Sequence, residues 1–224
     1  MESKSTTIYL IIIMLIALIL RAFHLNFDGL WNDEIYTAYT ASPKLSFGDV
    51  YHFTIHDIHP PLHHFINKIW CMIIGHNDLS IRVLNMVFGF FAVLSVYHLT
   101  KLIFTKRTAF YAALLAAVNF YLIKYSQEVR PYSMLILLTN FSFYYFVLLV
   151  RDGYQKVRAI RYVVITTFML YTHYFALFLV GGQFIAFLFL IDWSEFRDKW
   201  KKYLITFTLP NLLFLFWIPI IIRG

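Results

Sequence analysis

The sequence predicts an all-α polytopic membrane protein, and three observations support this fold class. Of the 224 residues, 60% are apolar and only 14% are charged, a balance typical of chains embedded in lipid. The apolar residues are gathered in long runs, and the mean hydropathy is +0.67. The basic residues lie mostly in the short segments between those runs. We expect about seven transmembrane helices in a single module that covers residues 1–224.

Each predicted span is an apolar run near the length a helix needs to cross the hydrocarbon core, about 20 residues. Five runs qualify: 8–25, 80–100, 108–125, 132–150 and 203–222. A sixth stretch, 161–191, is too long for one ordinary span, and both of its flanks carry basic residues. We expect two short helices there, joined by a turn at "YTHYF" that has His173 at its tip. A re-entrant hairpin is the alternative.

Residues 26–79 form a long polar loop after the first span and hold six of the nine histidines. Within it, 60–75 is apolar but too short and too rich in histidine to span comfortably. It predicts an amphipathic helix at the membrane interface. Pro60 and Pro61 favour a sharp entry into that helix.

The net charge of +7 indicates topology. With the N-terminus inside, the inner segments hold 12 of the 19 basic and 5 of the 12 acidic residues. The whole excess then lies on one side, as the positive-inside rule requires. We therefore expect an inner (plasma) membrane protein with a cytoplasmic N-terminus, an outer loop 26–79 and no nucleic-acid partner. The single Cys71 excludes an internal disulfide.

Two adjacent carboxylates stand in "LWNDEIYTAY", residues 30–39. Local chemistry favours helix capping, with Asn32 as the N-cap and Asp33 and Glu34 in the first turn. Their place at the lip of the first span also favours catalysis at a membrane surface. The sequence leaves open whether Asp33 acts as a base, Glu34 does, or the pair shares a metal.

The stretch "SQEVRPYSM", residues 126–134, adds a second polar group between two spans. Arg130 and Tyr132 are predicted to bind a phosphate, since arginine suits bidentate phosphate contact. Glu128 would then face the carboxylates of the first loop; an ion pair between Glu128 and Arg130 is the alternative. Arg82 and Arg21 also lie near outer helix ends, and for Arg21 snorkelling to headgroups is the favoured interpretation.

Histidines dominate "HDIHPPLHHF", residues 56–65. The spacing of His52 with His56 and of His59 with His63 is i, i+4, which on a helix could bind a metal. Because two prolines separate the pairs, all four cannot share one helical face. The cofactor is therefore left undetermined, with a divalent cation as one option.

The order of "LWNDEIYTAYTAS", "HPPLHHF", "LSIRVLNMVFG", "SQEVRPYSMLILL" and "YTHYFALFLV" resembles the membrane glycosyltransferases of the C superfamily. The similarity is strongest to the branch of protein O-mannosyltransferases and lipid A aminoarabinose transferases (the family 39-like glycosyltransferases), and it covers about residues 17 to 190. It implies an inverting transfer from a polyprenyl-phosphate-linked sugar to a lipid, glycan or protein acceptor at the outer face of the bilayer.

The resemblance also implies site residues. Asp33 matches the catalytic acid of the first outer loop, with Glu34 beside it, and Glu128 is the nearest match to a second acid. Metal use differs among family members. The residues expected to bind the donor phosphate are Arg130, Tyr132, Arg82, His59 and His173.

One departure from the family is length, because relatives usually continue past the position of Gly224 with more membrane helices. The expectation is a truncated or minimal module. The competing function is a lipid-handling or transport protein without glycosyl transfer. Such a protein would place ionisable residues within its spans or in paired repeats, and neither pattern is evident.

Overall fold

The computed structural model describes residues 4–57 and 59–217. These residues form eleven α-helices and no strand, which confirms the all-α prediction. The helices are α1 (Lys4–Ala22), α2 (Asn32–Thr40), α3 (Phe47–Thr54), α4 (Leu62–Ile74), α5 (Asp78–Ile103), α6 (Lys106–Val118), α7 (Phe120–Gln127), α8 (Tyr132–Arg151), α9 (Lys156–Leu170), α10 (Phe175–Leu190) and α11 (Trp193–Leu215).

Helix α5 is the centre of the fold, because it packs against α1, α4, α6, α7 and α8. Small residues such as Ala113 and Ala117 are fully buried where α1, α5 and α6 meet. The approach of α5 to α7 is closer still, since a Cβ added at Gly89 would lie 2.1 Å from the Cβ of Ser126. Only glycine fits at that position, and it fixes how near α7 lies to the central helix.

The predicted span 108–125 is broken in the structure, which corrects the expectation of one continuous helix. Helices α6 and α7 meet at a bend of 55°. Asn119 has an extended backbone (φ −66°, ψ 123°), and its side chain accepts a hydrogen bond from the Leu122 amide at 3.0 Å. Hydropathy does not register such a cap, because one polar residue barely changes the average of an apolar run.

The break at Asn119 also explains the position of the Arg21 side chain. Its guanidinium donates to the carbonyls of Ala117 at 3.0 Å and Ala116 at 3.2 Å, at the end of α6. These carbonyls would otherwise lack partners, and leaving them unpaired in an apolar setting is costly. The Arg21 side chain is fully buried, so the interpretation that it snorkels to headgroups is wrong.

Fewer helices than expected are long and apolar enough to cross a membrane. Within the described ranges, α5 and α8 are long and apolar enough to cross a membrane, and the bent pair α6 and α7 could supply a third span. Apolar helices at Thr7–Ala22 and in α10 are shorter. Sixteen residues extend only about 24 Å, against a hydrocarbon core of about 30 Å. The count of about seven spans therefore stays a prediction.

The last two predicted apolar segments have mixed outcomes. Stretch 161–191 contributes to two helices, α9 and α10, with residues 171–174 between them, as the two-helix interpretation expected. Helix α11 has a non-helical residue, Lys199 (φ −117°, ψ 19°). The predicted span 203–222 begins after this kink, and its final residues, 218–222, lie outside the described part of the chain.

The loop after α1 contains α2, α3 and α4. The bounds of α4 agree closely with those of the predicted interfacial helix, 60–75. The polar side chains of α4 point inward: His63, His64, Asn67 and Lys68 are all buried. Its apolar side chains are exposed instead: Ile69, Met72, Ile73 and Ile74. This inverted amphipathicity suits a helix whose apolar face meets lipid and whose polar face builds a site.

Candidate active site

Helix α2 places its two acids in opposite environments. Its N-cap is Trp31 (φ −90°, ψ 169°), so Asn32 is the first helical residue and the expected Asn32 cap is wrong by one position. The Glu34 carboxylate accepts a hydrogen bond from the Trp31 amide at 3.2 Å. Adjacent residues of a helix point about 100° apart. As a result the Asp33 side chain is 45% exposed, whereas that of Glu34 is 1% exposed.

Glu34 forms a buried ion pair with Arg82 at 3.2 Å, which we call the buried pair. The other Glu34 oxygen accepts from the Val129 amide at 2.7 Å. Arg82 also donates to the carbonyls of Leu25 at 3.0 Å and Gly29 at 3.1 Å. These contacts join the first loop to α5 and to the turn before α8. Both terminal nitrogens of Arg82, which was predicted to bind phosphate, thus form hydrogen bonds within the protein.

Asp33 instead lies 3.4 Å from the terminal nitrogen of Arg130, and we call this contact the open pair. The same Arg130 nitrogen donates to Nε2 of His59 at 3.4 Å. The guanidinium carbon of Arg130 is 5.9 Å from the ring centre of Tyr132. The His173 ring packs on those of His59 and Tyr132, with centroids 4.8 and 5.7 Å apart. Four of the five predicted phosphate-binding residues therefore meet beside Asp33, in what we call the Arg130 pocket.

The charges of the Arg130 pocket suit an anion. Arg130 is buried, its Nε has no hydrogen-bond partner within the described residues, and the acid paired with it, Asp33, is half-exposed. Burial, together with the nearby His59 and Arg130, lowers the pKa of His173 to about 4. The His173 imidazole is therefore neutral near pH 7. A buried cation beside the neutral His173 imidazole and the Tyr132 phenol can hold a phosphate by charge-assisted hydrogen bonds.

Glu128 has a different setting from the two α2 acids. It ends α7, and its carboxylate lies 3.7 Å from Lys124, one helical turn earlier. Glu128 therefore pairs with Lys124 and not with Arg130, the alternative partner that the sequence suggested. Burial raises the pKa of Glu128 above its ordinary value. The structure thus places Glu128 beside the site, and its catalytic role stays a prediction.

Asp57, in the connection between α3 and α4, is a site residue that the sequence interpretation missed. Its carboxylate lies 2.9 Å from Nε2 of His64 and 3.8 Å from Nδ1 of His59. His64 in turn contacts the hydroxyl of Thr40 at the end of α2, at 2.8 Å. Burial raises the pKa of Asp57, but His59 and His64 lower it more, so it lies below its usual range. An acid enclosed by histidines in "HDIHPPLHHF" was the available signal.

The i, i+4 histidine pairs do not build a metal centre. His63 points to the side-chain oxygen of Asn85 at 2.8 Å, whereas His59 faces Asp57 and Arg130. His52 and His56 do meet, with ring centroids 5.5 Å apart. Across residues 4–57 and 59–217, no group of three or more His, Cys, Asp or Glu converges as metal ligands do.

An apolar groove of about 400 Å³ runs between α8 and α10. It begins next to the Arg130 pocket, since Leu135 lies one turn after Tyr132 on α8. On the α10 side the Phe175 ring packs on His173 with centroids 4.6 Å apart. Its lining residues are Leu135, Ile136, Thr139, Asn140, Phe175, Phe178 and Leu179. The polar pocket and the apolar groove together could take a molecule with an anionic head and an apolar tail.

Comparison with known proteins bears on this arrangement. The model of the family described as dolichyl-phosphate-mannose-protein mannosyltransferase matches residues 58–218, more than two thirds of the chain. No curated protein matches the chain.

Proposed function

Since the chain belongs to the dolichyl-phosphate-mannose-protein mannosyltransferase family and is a glycosyltransferase-like membrane protein, we propose that it transfers a sugar from a polyprenyl-phosphate donor to an acceptor. Family membership implies a lipid-linked sugar donor and a glycan or protein acceptor. We further propose that the reaction takes place at the outer face of the membrane, with the N-terminus in the cytoplasm, because the basic residues lie in the opposite segments.

The observation that carries the proposal is the open pair. A half-exposed carboxylate, Asp33, lies 3.4 Å from the buried guanidinium of Arg130. The carboxylate is accessible to an incoming acceptor, and the guanidinium is held where a donor phosphate can replace Asp33 as its partner. Glu34, one residue away, is fully buried and already bound to Arg82 and Val129. We therefore assign the base to Asp33 and a structural role to Glu34.

The proposed reaction is a displacement at the anomeric carbon of the donor sugar. The acceptor oxygen or nitrogen forms a bond to that carbon while the bond from carbon to phosphate oxygen breaks, with inversion. The acceptor proton passes to the Asp33 carboxylate, acting as general base. The electron pair of the broken bond stays on the phosphate, which leaves as polyprenyl phosphate. Arg130 stabilises the charge that develops there, assisted by His173 and Tyr132, while His59 supports Arg130 as a hydrogen-bond acceptor.

The groove between α8 and α10 supplies a place for the donor tail. Its apolar lining begins at Leu135 and Phe175 and continues along two apolar helices. Tyr132 and His173, where the phosphate would lie, are respectively one turn before Leu135 on α8 and in ring contact with Phe175. An isoprenoid chain would enter this groove from the surrounding lipid, so packing against the groove, and not removal from water, would hold it there. The groove would thus orient the tail, and the polar pocket would set the position of the reacting carbon.

Replacement of Asp33 by Asn tests the assignment. Wild-type and variant proteins are expressed in membranes that contain acceptors and supplied with labelled polyprenyl-phosphate hexoses and pentoses, mannose first. The label entering lipid, glycan and protein fractions is then measured. We expect Asp33→Asn to lower transfer by roughly 100-fold or more, the usual worth of a general base. Asp28→Asn changes an exposed acid of the same loop and is expected to leave transfer unchanged.

Two results would count against the proposal. Transfer by Asp33→Asn at near the wild-type rate would remove Asp33 as the base. Tight binding of polyprenyl phosphate by a wild-type protein that transfers none of the sugars would favour a lipid-handling protein instead.

A further inference from the structure

Asp57 has no role in the reaction proposed above, yet it contacts two side chains that lead to the open pair. Its carboxylate is mostly buried, with 13% of the side chain exposed. One oxygen approaches His64, which binds Thr40 on the helix that carries Asp33. The other approaches His59, which binds Arg130. Asp57 therefore stands between the two halves of the open pair without contacting the reacting groups.

The donor and acceptor inventory of this chain fixes the state of His59. Arginine carries only donors, so Nε2 of His59 must accept the hydrogen bond from Arg130 at 3.4 Å. In a neutral imidazole the proton then resides on Nδ1, the nitrogen that faces the Asp57 carboxylate at 3.8 Å. A carboxylate on that side stabilises this tautomer, since it can accept but not donate. With the proton on Nε2 instead, two donors would face each other and Arg130 would lose its neutral partner.

From this geometry we propose that Asp57 is a positioning residue that holds His59 as the Nδ1–H tautomer, so that His59 keeps Arg130 from closing fully onto Asp33. The inference rests on the proposed function for its catalytic meaning. Among the described residues, the side chains in polar or ring contact with His59 are Asp57, Arg130 and His173. Each fits this arrangement: one acceptor, one donor and one neutral ring. His63 also interacts electrostatically with His59, but its side chain bonds Asn85. If Arg130 were freed, it would pair more tightly with Asp33 and tie up the base.

The first test reads the tautomer directly and needs no substrate. The full chain is labelled with ¹⁵N-histidine in detergent micelles, and the His59 signals are assigned by their loss in His59→Gln. We expect the wild type to show a protonated Nδ1 and an unprotonated Nε2, and Asp57→Asn to show both tautomers. A wild-type His59 protonated on Nε2, or an unchanged spectrum in Asp57→Asn, would overturn the proposal.

The second test is a double-mutant cycle on sugar transfer. Asp57→Asn alone is expected to lower transfer about ten-fold or more, a typical loss for a residue acting through its neighbour. In the His59→Gln background, Asp57→Asn should lower transfer little further. If Asp57 acted only through His64, the loss would instead disappear in the His64→Gln background. If the losses of transfer in Asp57→Asn and His59→Gln are additive, the proposal is wrong. Absence of transfer by the wild type would defeat the proposed function, while the tautomer measurement would still decide this inference.

Discussion

The buried pair and the open pair are built from neighbouring acids and chemically identical partners, yet the structure puts them to different uses. Glu34 and Arg82 are removed from water and surrounded by further hydrogen bonds. Asp33 is half-exposed, and its contact with Arg130 is longer and shared with a histidine. A buried pair specifies how elements join, because breaking it strands a charge. A pair with one half-exposed partner contributes less stability, and its accessible acid can be exchanged for a ligand.

The largest expected effect is on the buried pair. Glu34→Gln leaves Arg82 without a counter-ion, and removing one partner of a buried pair costs about 3–5 kcal/mol of unfolding free energy. Asp33→Asn should cost less, because water reaches the half-exposed carboxylate and the buried Arg130 keeps its contact with His59. Denaturant unfolding in micelles measures both. Equal losses for the two variants would remove the distinction on which the comparison depends.

The open pair should control binding of the donor lipid. Arg130→Ala removes charge-assisted hydrogen bonds worth about 1.5–3 kcal/mol, so the Kd for polyprenyl phosphate should rise roughly 10–100-fold. Arg107→Ala is the matched control, because Arg107 is exposed and bonds the hydroxyl of Tyr111. Binding is measured by titration of the lipid into protein held in nanodiscs. An unchanged Kd for Arg130→Ala would move the phosphate site elsewhere.

Sequence patterns predicted the parts of this arrangement that depend on residue composition and on the order of motifs along the chain. They predicted the helical class, the helix near 60–75, the turn that carries His173, and the grouping of Arg130 with first-loop residues. They could not separate Asp33 from Glu34, since both acids suit a first turn and only packing against Arg82 decides which face is buried. The cap at Asn119 was also hidden, because its effect is a backbone angle within an apolar run.

Both pairs depend on the turn after α7, so Gly89 offers a way to disturb them together. Val129 binds Glu34 and the next residue binds Asp33. Gly89→Ala would force Ser126 on α7 away from α5, and overpacking of this kind costs about 1–3 kcal/mol. Thermal unfolding and sugar transfer should both decline. Gly181→Ala is the control, because a Cβ there meets no atom within 4 Å. Equal behaviour of the two variants would show that the close approach is not required.

Acidification should separate the two regions by the slope of the unfolding free energy against pH. Burial lowers the pKa of His63, beside Asn85, to about 3 and that of His173, in the Arg130 pocket, to about 4. Unfolded histidine titrates near 6.5, so below that pH the unfolded chain binds more protons than the folded one. The unfolding free energy therefore falls as pH drops from about 6.5 toward 4, by at most about 1.4 kcal/mol per pH unit for each histidine.

Glutamine variants assign this loss to each region. His63→Gln and His173→Gln should each flatten the decline in unfolding free energy between pH 6.5 and 4.5, and the exposed His52→Gln should not. Glu128 acts in the opposite direction, because its pKa is raised, but it is common to all variants. Polyprenyl phosphate should remove the contribution of His173 alone, since a bound anion favours the imidazolium beside it. A lipid effect of equal size at His63 would mean that the phosphate does not lie in the Arg130 pocket.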